Sequence, residues 1–240
     1  MNKIEKKFNV IRQFCKANID EATIKKYSRY FKEGYNAYGL GREKYETQRD
    51  KWLTEWKEEF SFEDYLKLGD ILIATGKYEE ASYAVSFIAN QKKQLKPEHF
   101  KHLSEWLEKG VRNWAHTDIL CGWLLSHFIR TNMIKIDALT AWRKSDSKWK
   151  RRAVPVTLID VLKTNTSLKQ MLALIDPLMS DKEEMVQKGL GWFLREAWKR
   201  YPQEVEDFLL KWKDTCGRII IQYATEKMDK AYRLKFRRAK

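Results

Sequence analysis

The chain is poor in cysteine, proline and glycine, and none of its apolar runs is long. It has 3 Cys, 4 Pro and 10 Gly in 240 residues. Cys15, Cys121 and Cys216 lie far apart and form no CxxC pair, which argues against a disulfide framework or a cysteine-based zinc site and fits a reducing compartment. So few prolines and glycines leave no recognisable linker, and one continuous architecture is expected. No stretch approaches the roughly 18 uninterrupted apolar residues of a membrane-spanning helix. The opening residues Asn2, Lys3, Glu5, Lys6 and Lys7 contain no apolar core of a secretory signal. A cytoplasmic, monomeric protein without a membrane partner is expected, nucleoid-associated if the source is bacterial. GxGxxG, P-loop, HExxH and nucleophile-elbow patterns are missing too, so no cofactor and no metal are expected.

Positive charge and aromatic rings are abundant. Lys and Arg number 47 against 33 Asp and Glu, a formal net charge of +14 with pI near 9.5. A surplus of that size favours a polyanion, because each neutralised phosphate releases condensed counterions. An anionic membrane surface or an acidic protein would attract it as well. The ten Trp and 13% aromatic residues exceed what a core of this size needs.

The apolar periodicity is helical almost everywhere. Ala81, Ala84, Val85 and Ile88 recur at three to four residues, as do Val186, Leu190, Phe193, Ala197 and Tyr201. Start signals stand at Ser61, Pro97-Glu98, Ser180-Asp181-Lys182-Glu183 and Pro202. Helices are expected over about 3–17, 20–33, 42–58, 62–75, 77–91, 97–110, 118–131, 135–144, 148–162, 167–179, 182–200, 203–213 and 216–233. Short connections between them predict antiparallel neighbours in an all-α fold, an α-solenoid of HEAT-like helical repeats curved around a basic concave face. One domain is expected over residues 1–225. The rest, 226–240, reads as a basic C-terminal tail, partly disordered, with seven basic residues from Lys227 onward.

Three constellations could carry chemistry. In Asn113-Trp114-Ala115-His116-Thr117-Asp118 a tryptophan precedes a carboxylate by four residues, just before the apolar run Ile119, Leu120, Trp123, Leu124 and Phe128. On a helix the two share a face and can touch one object. Asp118 could equally be the N-cap of the helix that follows. Lys188, Trp192, Arg195 and Lys199 make a second stripe, beside the apolar one. It reads either as a nucleic-acid contact or as a solvated face with snorkelling cations. Lys148, Lys150, Arg151 and Arg152 surround Trp149 at a helix start, where positive charge opposes the helix dipole unless a phosphate sits there. A solvated face is the plain alternative. The histidines are uninformative: His99 and His102 have metal-like i, i+3 spacing but no completing ligand, and His116 and His127 are single. An aromatic box, one acid and a cationic patch suit an enzyme acting on a sugar or base within a nucleic acid.

Four blocks resemble the AlkD-type DNA alkylation repair glycosylases, a HEAT-like repeat family, across about residues 20–225. They are Tyr30-Phe31-Lys32-Glu33-Gly34-Tyr35-Asn36-Ala37-Tyr38-Gly39-Leu40, Asn113–Asp118, Trp149-Lys150-Arg151-Arg152-Ala153, and Lys188-Gly189-Leu190-Gly191-Trp192-Phe193-Leu194-Arg195-Glu196. The last is the most specific. The resemblance implies hydrolysis of the N-glycosidic bond of cationic N3- and N7-alkylated purines in duplex DNA, without flipping the base. It implies Asp118 as the catalytic carboxylate, Trp114 and Trp192 around the lesion's deoxyribose, Arg152 on the backbone, and Tyr30 facing the DNA. Lys148, Lys150, Arg151, Lys188, Arg195 and Lys199 are the further candidate DNA contacts. His116 and Thr117 depart from the family's smaller or more acidic residues around Asp118.

The chemistry is consistent with so small a toolkit. Alkylation makes the purine a good leaving group, so no general acid is needed. A carboxylate can then stabilise the oxocarbenium-like sugar, flanked by indole faces. A non-catalytic module binding branched or damaged DNA, and a HEAT-like scaffold for an acidic protein, are the alternatives from other classes.

Overall fold

The computed structural model describes residues 1–238, and every regular element among them is helical. The expected all-α class is therefore found. The chain divides into two compact units, Met1–Leu120 and the remainder from Cys121.

The first unit contains α1 (Lys3–Ala17), α2 (Glu21–Ser28), α3 (Arg42–Glu55), α4 (Phe62–Ala74), α5 (Tyr78–Asn90), α6 (His99–Lys109) and α7 (Trp114–Leu120). Local capping explains several starts. Asn2 with Glu5 and Ser61 with Asp64 form capping boxes, and the Asp20 carboxylate accepts from the Ala22 and Thr23 amides. α4 and α5 pack together with only residues 75–77 between them, a link short enough to require an antiparallel pair. α1 lies against both, and α7 packs on α5. Leu68, Leu72, Ala84, Val85 and Ile88 are fully buried between them.

The second unit opens with a π-helical turn, Cys121–Leu125, and continues through α8 (Ser126–Arg130), a 3-10 stretch (Ile136–Lys144), α9 (Lys148–Val161) and α10 (Leu168–Ile175). After a 3-10 turn at Asp176–Ser180 come α11 (Glu184–Trp198), α12 (Pro202–Trp212), α13 (Arg218–Ala224) and a last 3-10 turn, Tyr232–Phe236. α11 is the centre of this unit, packed on α9, α12 and α13. Its two glycines permit the approach. A Cβ on Gly191 would lie 2.4 Å from Tyr223 Cβ and 2.9 Å from the Ile220 carbonyl oxygen, and one on Gly189 would lie 3.2 Å from Arg152 Cγ. The stripe Val186, Leu190, Phe193 and Ala197 is wholly buried, as its spacing predicts, with Tyr201 half-buried.

Several expected boundaries shift, each for a local reason. The helix expected over 20–33 stops at Ser28, where the Tyr30 and Phe31 amides turn back to the Tyr27 and Ser28 carbonyls, and the loop that follows bends at Gly34 and Gly39 in left-handed backbone (φ 99° and 80°). The helix expected from 118 starts at Trp114, since Asn113 caps it. Residues 136–144 are 3-10 rather than α, and α10 tightens into 3-10 geometry at Pro177, which lacks an N–H. α13 ends at Ala224, short of the expected 233. The tail expected to be partly disordered is packed as far as it is described. Phe236 is buried, and Tyr232 and Lys235 both bond the Glu206 carboxylate. Ala239 and Lys240 lie outside the described residues.

Candidate functional site

In the first unit the Trp114–Asp118 block is built on a polar cap. The Asn113 side chain accepts from the His116 amide at 2.9 Å and donates through Nδ2 to His116 Nδ1, also at 2.9 Å. With Nδ1 accepting, the imidazole carries its proton on Nε2, which faces the Tyr78 carbonyl at 2.9 Å and Ser82 Oγ at 3.0 Å. Full burial pushes the His116 pKa down to about 4, so the ring is neutral. Thr117 is buried as well and donates to the Asn113 carbonyl at 3.0 Å. The two residues that depart from the family pattern thus anchor the inner side of α7. Asn113 supplies the cap, so Asp118 is not the N-cap that one sequence reading made it. It sits in the second turn, half-buried, on the same helical face as Trp114.

Trp114 is held from two directions. Its Nε1 donates to the Tyr30 carbonyl at 3.0 Å, and its indole stacks on Phe31 with centroids 5.5 Å apart and planes 13° from parallel. Phe31 stacks in turn on Tyr35 at 4.6 Å, and Tyr78 meets both rings edge-on. Such pairs each add about 0.5–1.5 kcal/mol beyond buried area. The loop carrying Phe31 and Tyr35 is itself pinned. The buried Glu79 carboxylate accepts from the amides of Tyr38, Gly39 and Leu40 at 2.8, 2.7 and 3.1 Å. Next to it, Glu80 accepts two bonds from Arg12 and one from Tyr38 Oη. Burial alone would raise the Glu80 pKa, but bonds from Arg12, Thr75 and Tyr38 outweigh it and hold it below the ordinary range.

Tyr30 is exposed, with the Arg29 guanidinium 4.8 Å over its ring and bonded to its hydroxyl at 2.8 Å. Tyr27, also exposed, has Lys26 Nζ 5.5 Å from its ring centre. Sequence reasoning singled out Tyr30 and Trp114 but missed Phe31, Tyr35, Tyr78 and Glu79, which hold Trp114 and the loop beside it. Asn113 and His116, at the spacing of an N-cap and its third helical residue, were the readable signal for the cap.

In the second unit the basic candidates are largely engaged. Arg151 Nε bonds Asp181 at 2.7 Å, and its Nη1 donates to the Ser145 carbonyl at 2.7 Å. Arg152 is buried, with Nη1 donating to the Met185 carbonyl at 2.6 Å, which ties α9 to the first turn of α11. Trp149 is buried too, with Lys148 Nζ 5.0 Å over its ring, while Lys150 Nζ lies 5.7 Å over Trp142. On α11, Lys188 pairs with Glu184 at 2.6 Å, Lys199 with Glu196 at 2.6 Å, and Arg195 with both Glu196 and Glu226. Trp192 is half-buried. Trp123, which the sequence placed in an apolar run, is 47% exposed, because the π-helical turn adds a residue to the local repeat and rotates the apolar face. His99 and His102 are engaged separately: His99 Nδ1 accepts from the Lys96 amide, and His102 Nε2 meets Asp70 at 2.7 Å.

The family model described as DNA alkylation repair enzyme matches residues 11–228, and the chain belongs to that family. Solved structures share the fold. A predicted DNA alkylation repair enzyme from Enterococcus faecalis superposes with a TM-score of 0.77 at 15% identity, covering 89% of this chain and 98% of its own. AlkD2 from Streptococcus mutans gives 0.60 at 22% identity, over 86% of this chain and 99% of its own. The smu.31 protein from Streptococcus mutans UA159 gives 0.58 at 22%, over 77% and 92%. No curated protein matches the chain. Among the described residues no helix is long and apolar enough to cross a membrane.

Proposed function

We propose that this alkylation repair enzyme is a DNA glycosylase that hydrolyses the N-glycosidic bond of cationic N3- and N7-alkylated purines in duplex DNA, without flipping the base. One observation carries the reading. Trp114 is immobilised by the Tyr30 carbonyl and the Phe31 ring, and the Asp118 carboxylate follows one turn along the same helix face.

A fixed indole and a half-buried carboxylate make a surface suited to a sugar that becomes cationic as the base leaves. The Asp118 charge stabilises the developing oxocarbenium ion and can orient the attacking water. The indole adds cation–π attraction of about 0.5–2 kcal/mol. Buried, neutral His116 is turned to the Tyr78 carbonyl and Ser82, and the Thr117 hydroxyl donates to the Asn113 carbonyl, so both are engaged inside the fold. Because the departing base is already cationic, it needs no acid to protonate it. Exposed Tyr27 and Tyr30, each under a cation, are rings on which DNA can be held, with Lys26 and Arg29 beside its phosphates. The roles given to Trp192 and Arg152 rest on the resemblance of their blocks to the family's.

The test is release of N7-methylguanine from methylated duplex DNA under single-turnover conditions, by the native chain and by Asp118→Asn. The native protein should release the base, and the amide variant should bind the same duplex but release none. Near-normal release by the variant would sink the assignment of Asp118.

A further inference from the structure

The closing segment of the second unit makes a site of its own. Arg238 Nη2 donates to the Cys216 carbonyl at 3.1 Å and Phe236 is buried, so residues 230–238 close over one side of α13. Between them is a cleft of about 790 Å³. Among the described residues six cationic side chains line it, namely Lys213, Arg218, Lys230, Arg233, Arg237 and Arg238, and no carboxylate does. This contrasts with the rest of the unit, where Arg151, Arg195, Lys211 and Lys235 each meet an acid. Lys213 pairs with Asp214, which is not part of the lining.

Collecting like charges around one cleft without acids raises self-repulsion, which a bound anion relieves. The cleft is separate from the candidate residues of α11. Ile220, Tyr223 and Ala224 of α13 pack against Gly191, whereas Ile221, Gln222 and Thr225 turn to the cleft. Four of the six cations, from Lys230 to Arg238, lie beyond residue 228, where the family match ends.

We propose that this cleft is a phosphate-binding site that takes the backbone of duplex DNA, whatever its sequence or lesion. The proposal rests on the reading of this chain as a DNA-acting enzyme, but not on glycosylase chemistry. The number of cations favours a polymer over a nucleotide. A triphosphate offers about four charges at one point, whereas a DNA strand supplies one about every 3.4 Å for as long as the cleft runs.

The experiment compares the native chain, Lys230→Gln/Arg233→Gln/Arg237→Gln, and an equally discharged control, Lys92→Gln/Lys93→Gln/Lys96→Gln, in which all three lysines are exposed. Binding of an undamaged duplex is titrated against salt, and tripolyphosphate binding is measured alongside. The cleft variant should lose about two to three units of salt slope and at least tenfold in affinity, and the control less than one unit. Release of methylated bases at saturating DNA should be the same in all three. Arg233 is half-buried, so Arg233→Gln alone, expected to lose about one unit, serves if the triple variant melts early. Equal slopes in native and variant proteins would overturn the site, as would an equal loss in the control. Loss of tripolyphosphate binding with an unchanged DNA slope would make the ligand a small polyphosphate and overturn the proposal as stated. A native protein that shows the slope difference but releases no base would refute the glycosylase reading and leave this site standing.

Discussion

Trp114 and Tyr30, 84 positions apart in sequence, are joined by a hydrogen bond from the indole Nε1 to the tyrosine's backbone carbonyl at 3.0 Å. The bond leaves the Tyr30 ring free to face outward while its backbone fixes the tryptophan. Phe31, the next residue, stacks on the same indole. Two adjacent loop residues therefore set the orientation of the ring proposed to face the sugar, and Glu79 holds the far end of that loop through three backbone amides.

Trp114→Ala should slow release of N7-methylguanine by roughly 2- to 30-fold, the rate equivalent of one lost cation–π contact of about 0.5–2 kcal/mol. Trp192→Ala is expected to act over the same range. Trp114→Phe keeps a ring but not the N–H, so it should fall between native and alanine. Single-turnover rates at saturating enzyme provide the measurement, and equal rates for phenylalanine and alanine would mean that ring orientation, not the ring face, is what matters.

The fold class was legible because helical periodicity is local: apolar residues at three- and four-residue spacing mark the faces of α5 and α11 without knowledge of partners. Capping residues marked the starts at Ser61 and Pro202 for the same reason. The Trp114 to Asp118 spacing was readable too, but not what holds Trp114. Phe31, Tyr35 and Tyr78 come from a loop and another helix, and no spacing rule links them to position 114. The cationic stripe on α11 was visible, whereas its partner Glu226 is 31 positions from Arg195. The cleft against α13 escaped notice because its residues look like a solvated basic tail until Phe236 is buried.

His116 makes stability depend on pH in a defined window. Its folded pKa is about 4, against an ordinary value of 6.5. Above pH 6.5 both states hold it neutral, and its contribution is fully present. As pH falls from 6.5 to 4 the unfolded chain takes up the proton first, and stability is lost by up to about 3 kcal/mol. Urea unfolding at pH 7, 5.5 and 4 should show this decline. In His116→Gln the decline should shrink by that amount, leaving the part due to carboxylates such as Glu80, whose pKa is lowered on folding. An unchanged pH profile in the variant would place the titration elsewhere.

Arg152→Ala separates a structural role from a binding one. The buried guanidinium donates to the Met185 carbonyl, so its removal should destabilise the fold by about 1–3 kcal/mol, the cost of an unsatisfied buried acceptor. If the side chain also meets a phosphate, the salt slope of DNA binding should fall by about one unit. Both are measured on the same preparation, well below its melting temperature. A lower melting temperature with an unchanged slope would confine Arg152 to joining α9 and α11.

Lesion choice is the sharpest consequence of a carboxylate-and-indole mechanism in which the departing base needs no acid. His116 is neutral and turned toward Tyr78 and Ser82, and its low pKa keeps it from serving as an acid at pH 7. Departure of a neutral base requires protonation, whereas N3-methyladenine and N7-methylguanine leave as neutral molecules from a cationic nucleoside. Both should be released from duplex DNA, and uracil, hypoxanthine and undamaged purines should not. Chromatography of bases released from duplexes carrying one defined lesion provides the measurement. Efficient release of uracil at pH 7 would show that a proton donor reaches the base, and the carboxylate-and-indole mechanism would then be wrong.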